Sequence, residues 1–213
     1  MSKKSDIIMA TLAELYPDAA CELIHKNVLE LTIAVMLSAQ TTDRQVNIAT
    51  KGLFEHYKTI TDYANAKFED VVEDIKSIGL NKVKAKNVIT MAQLVQKNYG
   101  GEIPDSIKKL ITLPGIGRKT ANVVISVGYG KPGFAVDTHV ERVCKRLSLV
   151  KESDDVVRIE KKVKRLFPRE QWSLLHHQMI FFGRYFCKAR NPNCEQCTVQ
   201  KQCSYYKNQN KKS

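Results

Sequence analysis

The sequence predicts an all-α fold in which helices are joined by short turns. Apolar residues recur three and four positions apart in residues 71–75, 83–95 and 107–111, among other segments, and this spacing puts them on one face of a helix. Alternating apolar and polar runs, which would indicate strands, are scarce. Glycine and proline stand between the helical segments, where they end helices and form turns. With 213 residues, of which 43% are hydrophobic, the chain can bury the core of one large or two small domains.

The first long apolar stretch, from Leu29 to Ala39, predicts a buried helix. Glu30 and Thr32 interrupt the stretch, and it is too short to cross a bilayer. The charged N-terminus is not followed by the apolar core of a secretory signal. We therefore expect a soluble cytoplasmic protein without a membrane segment.

Residues 105–127 predict two helices joined by a glycine-rich hairpin. An amphipathic helix from about Asp105 should end at Pro114 and Gly115, and a second helix should begin near Gly117. Glycines leave backbone N–H groups uncovered, and the start of a helix presents unpaired donors with a partial positive charge, so a DNA phosphate can dock there. Such binding contacts the nucleic-acid backbone and is independent of base sequence. The alternative interpretation is a plain helical corner.

Two residues, one in this hairpin and one after it, are candidate catalytic residues. Lys119 falls at the start of the second helix beside Arg118, and both the helix terminus and the neighbouring charge disfavour a cation there. A neutral lysine amine is a nucleophile. Asp137 precedes the next predicted helix, where it can serve as the N-cap, or Thr138 and Glu141 can form a capping box. Spacing alone favours capping over catalysis for Asp137.

The later part of the chain predicts a change of domain and a further amphipathic helix. Residues 128–133 are the richest in helix breakers and are the expected boundary between two helical domains. Beyond them, Val156, Ile159 and Val163 form one apolar stripe, and the lysines around it predict a solvated opposite face.

Near the C-terminus, four cysteines follow the pattern C-x6-C-x2-C-x5-C within seventeen residues: Cys187, Cys194, Cys197 and Cys203. Disulfides would need an oxidising compartment. Structural zinc sites usually pair two close couples of ligands, and only one such couple is present here. A cubane iron-sulfur cluster accepts four thiolates with wider gaps, so a [4Fe-4S] cluster ranks above zinc. Cys21 and Cys144 stand apart in apolar surroundings and are interpreted as buried small hydrophobes.

The net charge favours a polyanionic partner. Lysine and arginine number 34 against 22 acidic residues, which gives a formal net charge of +12. A basic surface of this kind suits nucleic acid, but charge alone does not separate that reading from a merely well-solvated protein.

Four ordered motifs give the chain a family resemblance. Residues 37–43 (Leu-Ser-Ala-Gln-Thr-Thr-Asp), 113–121 (Leu-Pro-Gly-Ile-Gly-Arg-Lys-Thr-Ala), 136–140 (Val-Asp-Thr-His-Val) and the cysteine loop resemble the endonuclease III family of DNA glycosylases. The resemblance implies a six-helix barrel domain over 22–132, with a helix-hairpin-helix at about 105–127. It implies a second domain formed by 1–21 and 133–213, with the cluster loop at 187–203, and a DNA-binding cleft between the two domains. The expected protein is a monomer that is cytoplasmic and nucleoid-associated.

The same resemblance implies a bifunctional enzyme of base excision repair. The Lys119 amine would attack C1′ of an oxidised or ring-saturated pyrimidine nucleotide in double-stranded DNA, expel the base, and form a Schiff base. Cleavage 3′ to the abasic site would follow by β-elimination. Asp137 would help to deprotonate Lys119 and would stabilise the cationic sugar. The four cysteines would hold the [4Fe-4S] cluster in a structural role.

The remaining site residues are expected to contact DNA. By resemblance, Gln40 would fill the gap left by the extruded nucleotide and Leu80 would wedge into the base stack, which offsets part of the cost of flipping. Without the resemblance, Gln40 would be interpreted as the polar end of a buried helix and Leu80 as a helix-cap hydrophobe. Asn81 and Lys82 depart from the family, which often has an aromatic and then a polar residue there. The full set of expected DNA-binding residues is Gln40, Thr41, Leu80, Gly115, Gly117, Arg118, His139, Lys188 and Arg190.

Three other functions are weighed against this one. A monofunctional adenine glycosylase of the same superfamily would lack the hairpin lysine and carry a further C-terminal domain, whereas this chain has Lys119 and ends ten residues after Cys203. A non-catalytic helix-hairpin-helix module would bind DNA through the hairpin and the basic surface alone. An electron carrier built on the cluster would have no need of the net positive charge.

Overall fold

The computed structural model describes residues 3–209, and the all-α prediction is confirmed, since none of these residues forms a β-strand. No helix in this range is long and apolar enough to span a membrane. Residues 1, 2 and 210–213, which belong to the predicted second domain, lie outside the described part. The α-helices, in chain order, are α1 (Lys3–Leu15), α2 (Val28–Leu37), α3 (Asp43–His56), α4 (Ile60–Ala64), α5 (Phe68–Asp74), α6 (Asn81–Tyr99), α7 (Ile107–Leu110), α8 (Arg118–Val123), α9 (Thr138–Arg146), α10 (Val156–Leu166), α11 (Trp172–Phe181) and α12 (Ser204–Gln209).

The chain divides into two compact units. The central unit is Cys21–Lys131, and the terminal unit joins the residues up to Ala20 with those from Pro132 onward. Two π-helical segments continue an α-helix within these units: Val124–Gly128 follows α8, and Phe182–Phe186 follows α11.

The core of the central unit is built around α2, whose residues from Leu31 to Leu37 are all buried. Glu30 interrupts this apolar run because it lies in the first turn, where its carboxylate accepts the Lys26 N–H at 2.7 Å. Asn27 caps the same helix by accepting the Glu30 N–H at 2.9 Å. Satisfying these amide groups fixes the start of the helix, and its apolar remainder packs against α3, α6 and α8.

The core of the terminal unit joins α1 to the helices of the second half of the chain. Ile8 and Leu12 of α1 pack in one cluster with residues of α9, α10 and α11. Cys144 is fully buried in this cluster, so its interpretation as a buried small hydrophobe is confirmed. The same interpretation is wrong for Cys21, which is only partly buried because it lies in the irregular segment before α2. The predicted apolar stripe of α10 is wrong at Val156, which is 46% exposed because it is the first residue after the N-cap Asp155, whereas Ile159 and Val163 are buried.

The first helix of the predicted hairpin is shorter than expected. It runs from Ile107 to Leu110 and does not extend from Asp105 to Pro114. Proline disfavours a helical conformation in the residue before it, and the chain turns instead through a Leu113 N–H bond to the Leu110 carbonyl at 3.0 Å. The second helix begins at Arg118 after Gly117, as predicted.

Candidate functional site

The two hairpin glycines are required for different reasons. Gly115 has φ +77°, and a Cβ on it would lie 2.9 Å from Met36 Cε and 3.0 Å from Asn87 Cβ. The fold therefore demands glycine there, both for backbone conformation and for close packing on α2 and α6. Gly117 has φ −85°, and a Cβ on it would meet nothing within 4 Å. Its missing side chain instead leaves exposed backbone at the start of α8.

Lys119 projects from a well-anchored helix start. It is exposed, as is Arg118, whereas the following residues Thr120 and Ala121 are buried. The N-cap Gly117 carries no side chain to bond the first N–H groups of α8. The central unit thus presents an exposed amine at a helix start that has no side-chain cap from Gly117, on a helix whose opposite side is fixed in the core.

Gln40 and Leu80 both adopt left-handed backbone conformations in the central unit. Gln40 has φ +56°, is exposed, and lies in the turn after α2, so it is not the polar end of a buried helix. Leu80 has φ +60° at the N-cap position of α6 and is 60% exposed. A non-glycine residue pays roughly 1–2 kcal/mol for this conformation. An exposed leucine held in such a conformation gains little from burial and is available to another molecule.

Asp137 caps α9 in the terminal unit. Its Oδ1 accepts the N–H groups of His139 at 2.9 Å and Val140 at 2.8 Å, and its Oδ2 lies 3.0 Å from His139 Nδ1. The predicted N-cap is confirmed. The capping box of Thr138 and Glu141 is wrong, because the cap is one residue earlier and the Glu141 carboxylate pairs with Lys145 at 2.6 Å.

The surroundings of Asp137 keep it ionised. Burial raises the pKa of its carboxyl, but the hydrogen bonds from His139 and Val140 outweigh burial and bring the pKa to about 2. His139 is itself held closely, since a Cβ on Gly183 would lie 2.9 Å from His139 Cβ. The start of α9 therefore offers a fixed carboxylate that is negatively charged at neutral pH.

The four cysteines of the C-terminal loop surround one pocket. This pocket is lined by all four, together with Leu147, Phe182, Phe186, Pro192 and the tyrosines that follow the loop. Cys194 opens one 3₁₀ turn, and Cys203 follows another. Within residues 3–209, no group of three or more His, Cys, Asp or Glu side chains is arranged to hold a single metal ion. Four thiols around one largely apolar pocket provide a set of sulfur donors for a bound group.

Arg146 of α9 fixes the backbone of this loop, and the sequence alone does not single it out. Its guanidinium donates to the Lys188 carbonyl at 2.6 Å and the Ala189 carbonyl at 3.1 Å, and it lies 3.4 Å from Cys187 Sγ. It also stacks on Tyr205 at 4.1 Å from the ring centre. Lys188 and Arg190 are exposed on the loop that it holds. The only hint in the sequence is the spacing of Arg142 and Arg146, four apart on one helix face.

Comparison with known proteins assigns these features to one class. The family model described as "HhH-GPD superfamily base excision DNA repair protein" matches residues 33–169. This span contains Gln40, Leu80, the hairpin with Lys119, and Asp137. The fold and the candidate residues thus define a helix-hairpin-helix protein of base excision DNA repair.

Comparison with individual proteins identifies one family within this class. Endonuclease III of Bacillus subtilis (strain 168) is 47% identical over 210 residues, which cover 99% of this chain and 96% of that protein. A solved non-covalent Endonuclease III–DNA complex matches with a TM-score of 0.93 and 47% identity, over 99% of this chain and 100% of the other. A trapped Endonuclease III–DNA covalent intermediate matches with a TM-score of 0.92 and 48% identity, over 98% and 99%. This chain belongs to the endonuclease III family of DNA glycosylases.

Proposed function

We propose that this chain excises oxidised or ring-saturated pyrimidines from duplex DNA and then cuts the strand 3′ to the abasic site. Family membership makes it a DNA glycosylase and abasic-site lyase of base excision repair. The observation that carries the proposal for its own residues is the exposed Lys119 at the start of α8. The chain is 48% identical to an Endonuclease III trapped in a covalent intermediate with DNA, and Lys119 is the nucleophile that such chemistry needs.

In the first step, the neutral amine of Lys119 attacks C1′ of the damaged nucleotide. The C1′–N bond to the base breaks, and its electron pair leaves with the base, which takes up the proton that the attacking nitrogen loses after it bonds to C1′. Positive charge develops on the sugar, and the Asp137 carboxylate stabilises it. A carboxyl with a pKa of about 2 is a weak proton acceptor, so we assign Asp137 this electrostatic role in preference to deprotonation of Lys119.

In the second step, the sugar ring opens to a Schiff base between C1′ and Lys119. Loss of a C2′ proton then places an electron pair that expels the 3′ phosphate by breaking the C3′–O bond. Water hydrolyses the Schiff base and returns the free amine of Lys119. The strand is left cut on the 3′ side of the former abasic site.

Binding to DNA is assigned to exposed groups of both units. The backbone N–H groups at Gly117 and Arg118 receive a phosphate, while Gly115 shapes the hairpin that presents them. Gln40, beside Thr41, fills the gap left by the flipped nucleotide, and Leu80 wedges into the stack. Lys188 and Arg190 add phosphate contacts, and His139 shapes the surface beside Asp137. Monomeric action in the cytoplasm at the nucleoid stays a prediction.

We also propose that Cys187, Cys194, Cys197 and Cys203 hold a [4Fe-4S] cluster. The four thiols that line one pocket support this assignment, and the spacing of the cysteines favours a cubane cluster over zinc. When bound, the cluster would supply four iron–thiolate bonds that brace the loop carrying Lys188 and Arg190. Purified protein should be brown, with broad visible absorption and about four irons per chain. Colourless protein that contains zinc would contradict the assignment.

Borohydride trapping tests the enzymatic proposal. The native protein should form a covalent adduct with a duplex that holds one oxidised pyrimidine, and Lys119→Ala should form none while keeping its affinity for DNA. Lys97→Ala, which removes an exposed lysine of α6 in the same unit, should trap as the native protein does. Base release by cluster-loaded native protein without any adduct would favour a monofunctional glycosylase. DNA binding without release or adduct would favour a non-catalytic module.

A further inference from the structure

Lys84 is a buried lysine in the first turn of α6. It is only 6% exposed, whereas the neighbouring Lys82 and Lys86 are exposed. Its ammonium donates to the Leu37 carbonyl at 2.9 Å, the Ala39 carbonyl at 2.7 Å and the Thr41 hydroxyl at 3.0 Å. A lysine ammonium has three donors, and the three acceptors lie at the end of α2 and in the segment that joins α2 to α3.

These acceptors flank the strained residue of that segment. Ala39 and Thr41 stand on either side of Gln40, which has φ +56°. A non-glycine residue keeps a left-handed conformation only where its surroundings hold it there. The Lys84 ammonium bonds both neighbours of Gln40 and so restrains the backbone from which the exposed Gln40 side chain projects.

The backbone of Lys84 is tied to Leu80. The Lys84 N–H donates to the Leu80 carbonyl at 3.0 Å, the first helical bond of α6. Leu80 is also left-handed and exposed. One residue is thereby bonded through its side chain to the Gln40 segment and through its backbone to Leu80, although the two segments lie about forty positions apart in the sequence.

We propose that Lys84 is a positioning residue that fixes Gln40 and Leu80 in one arrangement for insertion into duplex DNA. The proposal rests on the proposed function, in which Gln40 fills the vacated position and Leu80 enters the stack. Burial of a cation is unfavourable in itself and lowers the pKa of Lys84. A methionine of similar length would avoid that cost, but it would leave the buried Leu37 carbonyl without its donor and Gln40 free to relax.

The test separates insertion from chemistry by using two substrates. Single-turnover base release is measured on a duplex with one oxidised pyrimidine, and strand cutting is measured on a single-stranded abasic oligonucleotide, which has no vacated position to fill. Lys84→Met should slow duplex base release about ten- to a hundredfold, as expected for lost hydrogen bonds to a charged group. It should leave single-stranded cutting within about twofold. Lys86→Met, which removes an exposed charge from the same helix, should match the native protein on both substrates.

A double-mutant cycle with Gln40→Ala identifies the route of the effect. If Lys84 acts through Gln40, the double variant should be no slower on duplex than the slower single variant. Lys84→Gln keeps two N–H donors, should recover part of the rate, and serves where the methionine variant does not fold. Equal losses on both substrates, fully multiplicative losses, or native-like duplex activity of Lys84→Met would each overturn the role of Lys84. Native protein that releases no base would instead refute the proposed function and this role with it.

Discussion

Asp137 holds the start of α9 through Oδ1 and holds His139 through Oδ2. The sequence offers capping and catalysis as alternatives for this residue, and the geometry shows why they are compatible. An N-cap carboxylate needs only one oxygen for the backbone, and the His139 side chain on the other oxygen, together with the Val140 N–H of the cap, keeps the group ionised. The two roles can therefore be separated by variants that remove charge and cap independently.

We expect Asp137→Asn to lose catalysis while keeping the helix cap. Asparagine caps helices about as well as aspartate, whereas Asp137→Ala should lose about 1 kcal/mol or more of unfolding free energy because the cap is gone. Both variants lack the negative charge, so base release should fall by about a hundredfold or more. Urea unfolding and single-turnover base release measure the two quantities. Native-like base release by Asp137→Asn would leave Asp137 with a capping role only.

The pKa of Asp137 adds a dependence of stability on pH. The folded pKa of about 2 lies below the ordinary value of 3.8, so the ionised carboxylate stabilises the fold above pH 3.8, by about 2 kcal/mol. This contribution is lost as the pH falls from about 4 towards 2. The difference in unfolding free energy between the native protein and Asp137→Asn should shrink over that interval. A difference that stays constant with pH would contradict the assigned shift.

At the scale of elements, the helix-hairpin-helix has a closely packed glycine, Gly115, and an exposed one, Gly117. α7 is a single turn of helix, so the hairpin is positioned mainly by the buried side chains of Leu113 and Ile116 and by the packing of Gly115 on α2 and α6. α8 then begins at an exposed glycine without a side-chain cap. The first glycine is required by the fold, and the second is assigned by our proposal to the surface that meets DNA.

Matched alanine substitutions should separate these two glycines. Gly115→Ala should lower the unfolding free energy by about 2 kcal/mol or more, because alanine is strained at φ +77° and meets Asn87 Cβ at 3.0 Å. Gly117→Ala should leave stability unchanged within about 0.5 kcal/mol. Its methyl group should nevertheless weaken duplex binding by covering the backbone donors. Denaturant unfolding and equilibrium binding to undamaged duplex provide the two measurements. Unimpaired binding by Gly117→Ala would argue against phosphate contact at this backbone.

At the scale of the whole molecule, the net charge of +12 favours binding to the negatively charged DNA duplex. Its contribution to affinity depends on which cations meet phosphates, because only those displace counterions from the duplex. The log of the affinity for undamaged duplex should fall steeply and linearly with the log of the salt concentration. A flat dependence would exclude phosphate contacts as the main source of affinity.

Single substitutions locate those contacts. Lys188→Ala should reduce the salt slope by about one, as expected for the loss of one phosphate contact. Lys97→Ala removes the same charge from the end of α6 and should leave the slope unchanged. Equal effects of the two variants would mean that net charge, and not the loop braced by Arg146, determines affinity for DNA.

The amino-acid sequence was sufficient to predict the fold class, the start of α8 with Lys119 and the clustering of the four cysteines, and it left the cap of α9 open between Asp137 and Thr138. These features are local: helix periodicity, turn residues and short ligand spacings act within about one to four turns of chain. The residues that predict each of these features therefore lie within the segment that forms it.

Features that depend on contacts between residues distant in the sequence could be identified only from the tertiary structure. The acceptors of Lys84 lie 43 to 47 positions before it, and the reason for glycine at Gly115 is the close approach of Met36 and Asn87. The pocket formed by the cysteines and the bonds of Arg146 to their loop also require helices to pack. Lys84 stands between Lys82 and Lys86 in the sequence, so no local pattern distinguishes it. Its burial follows from how the helices pack together.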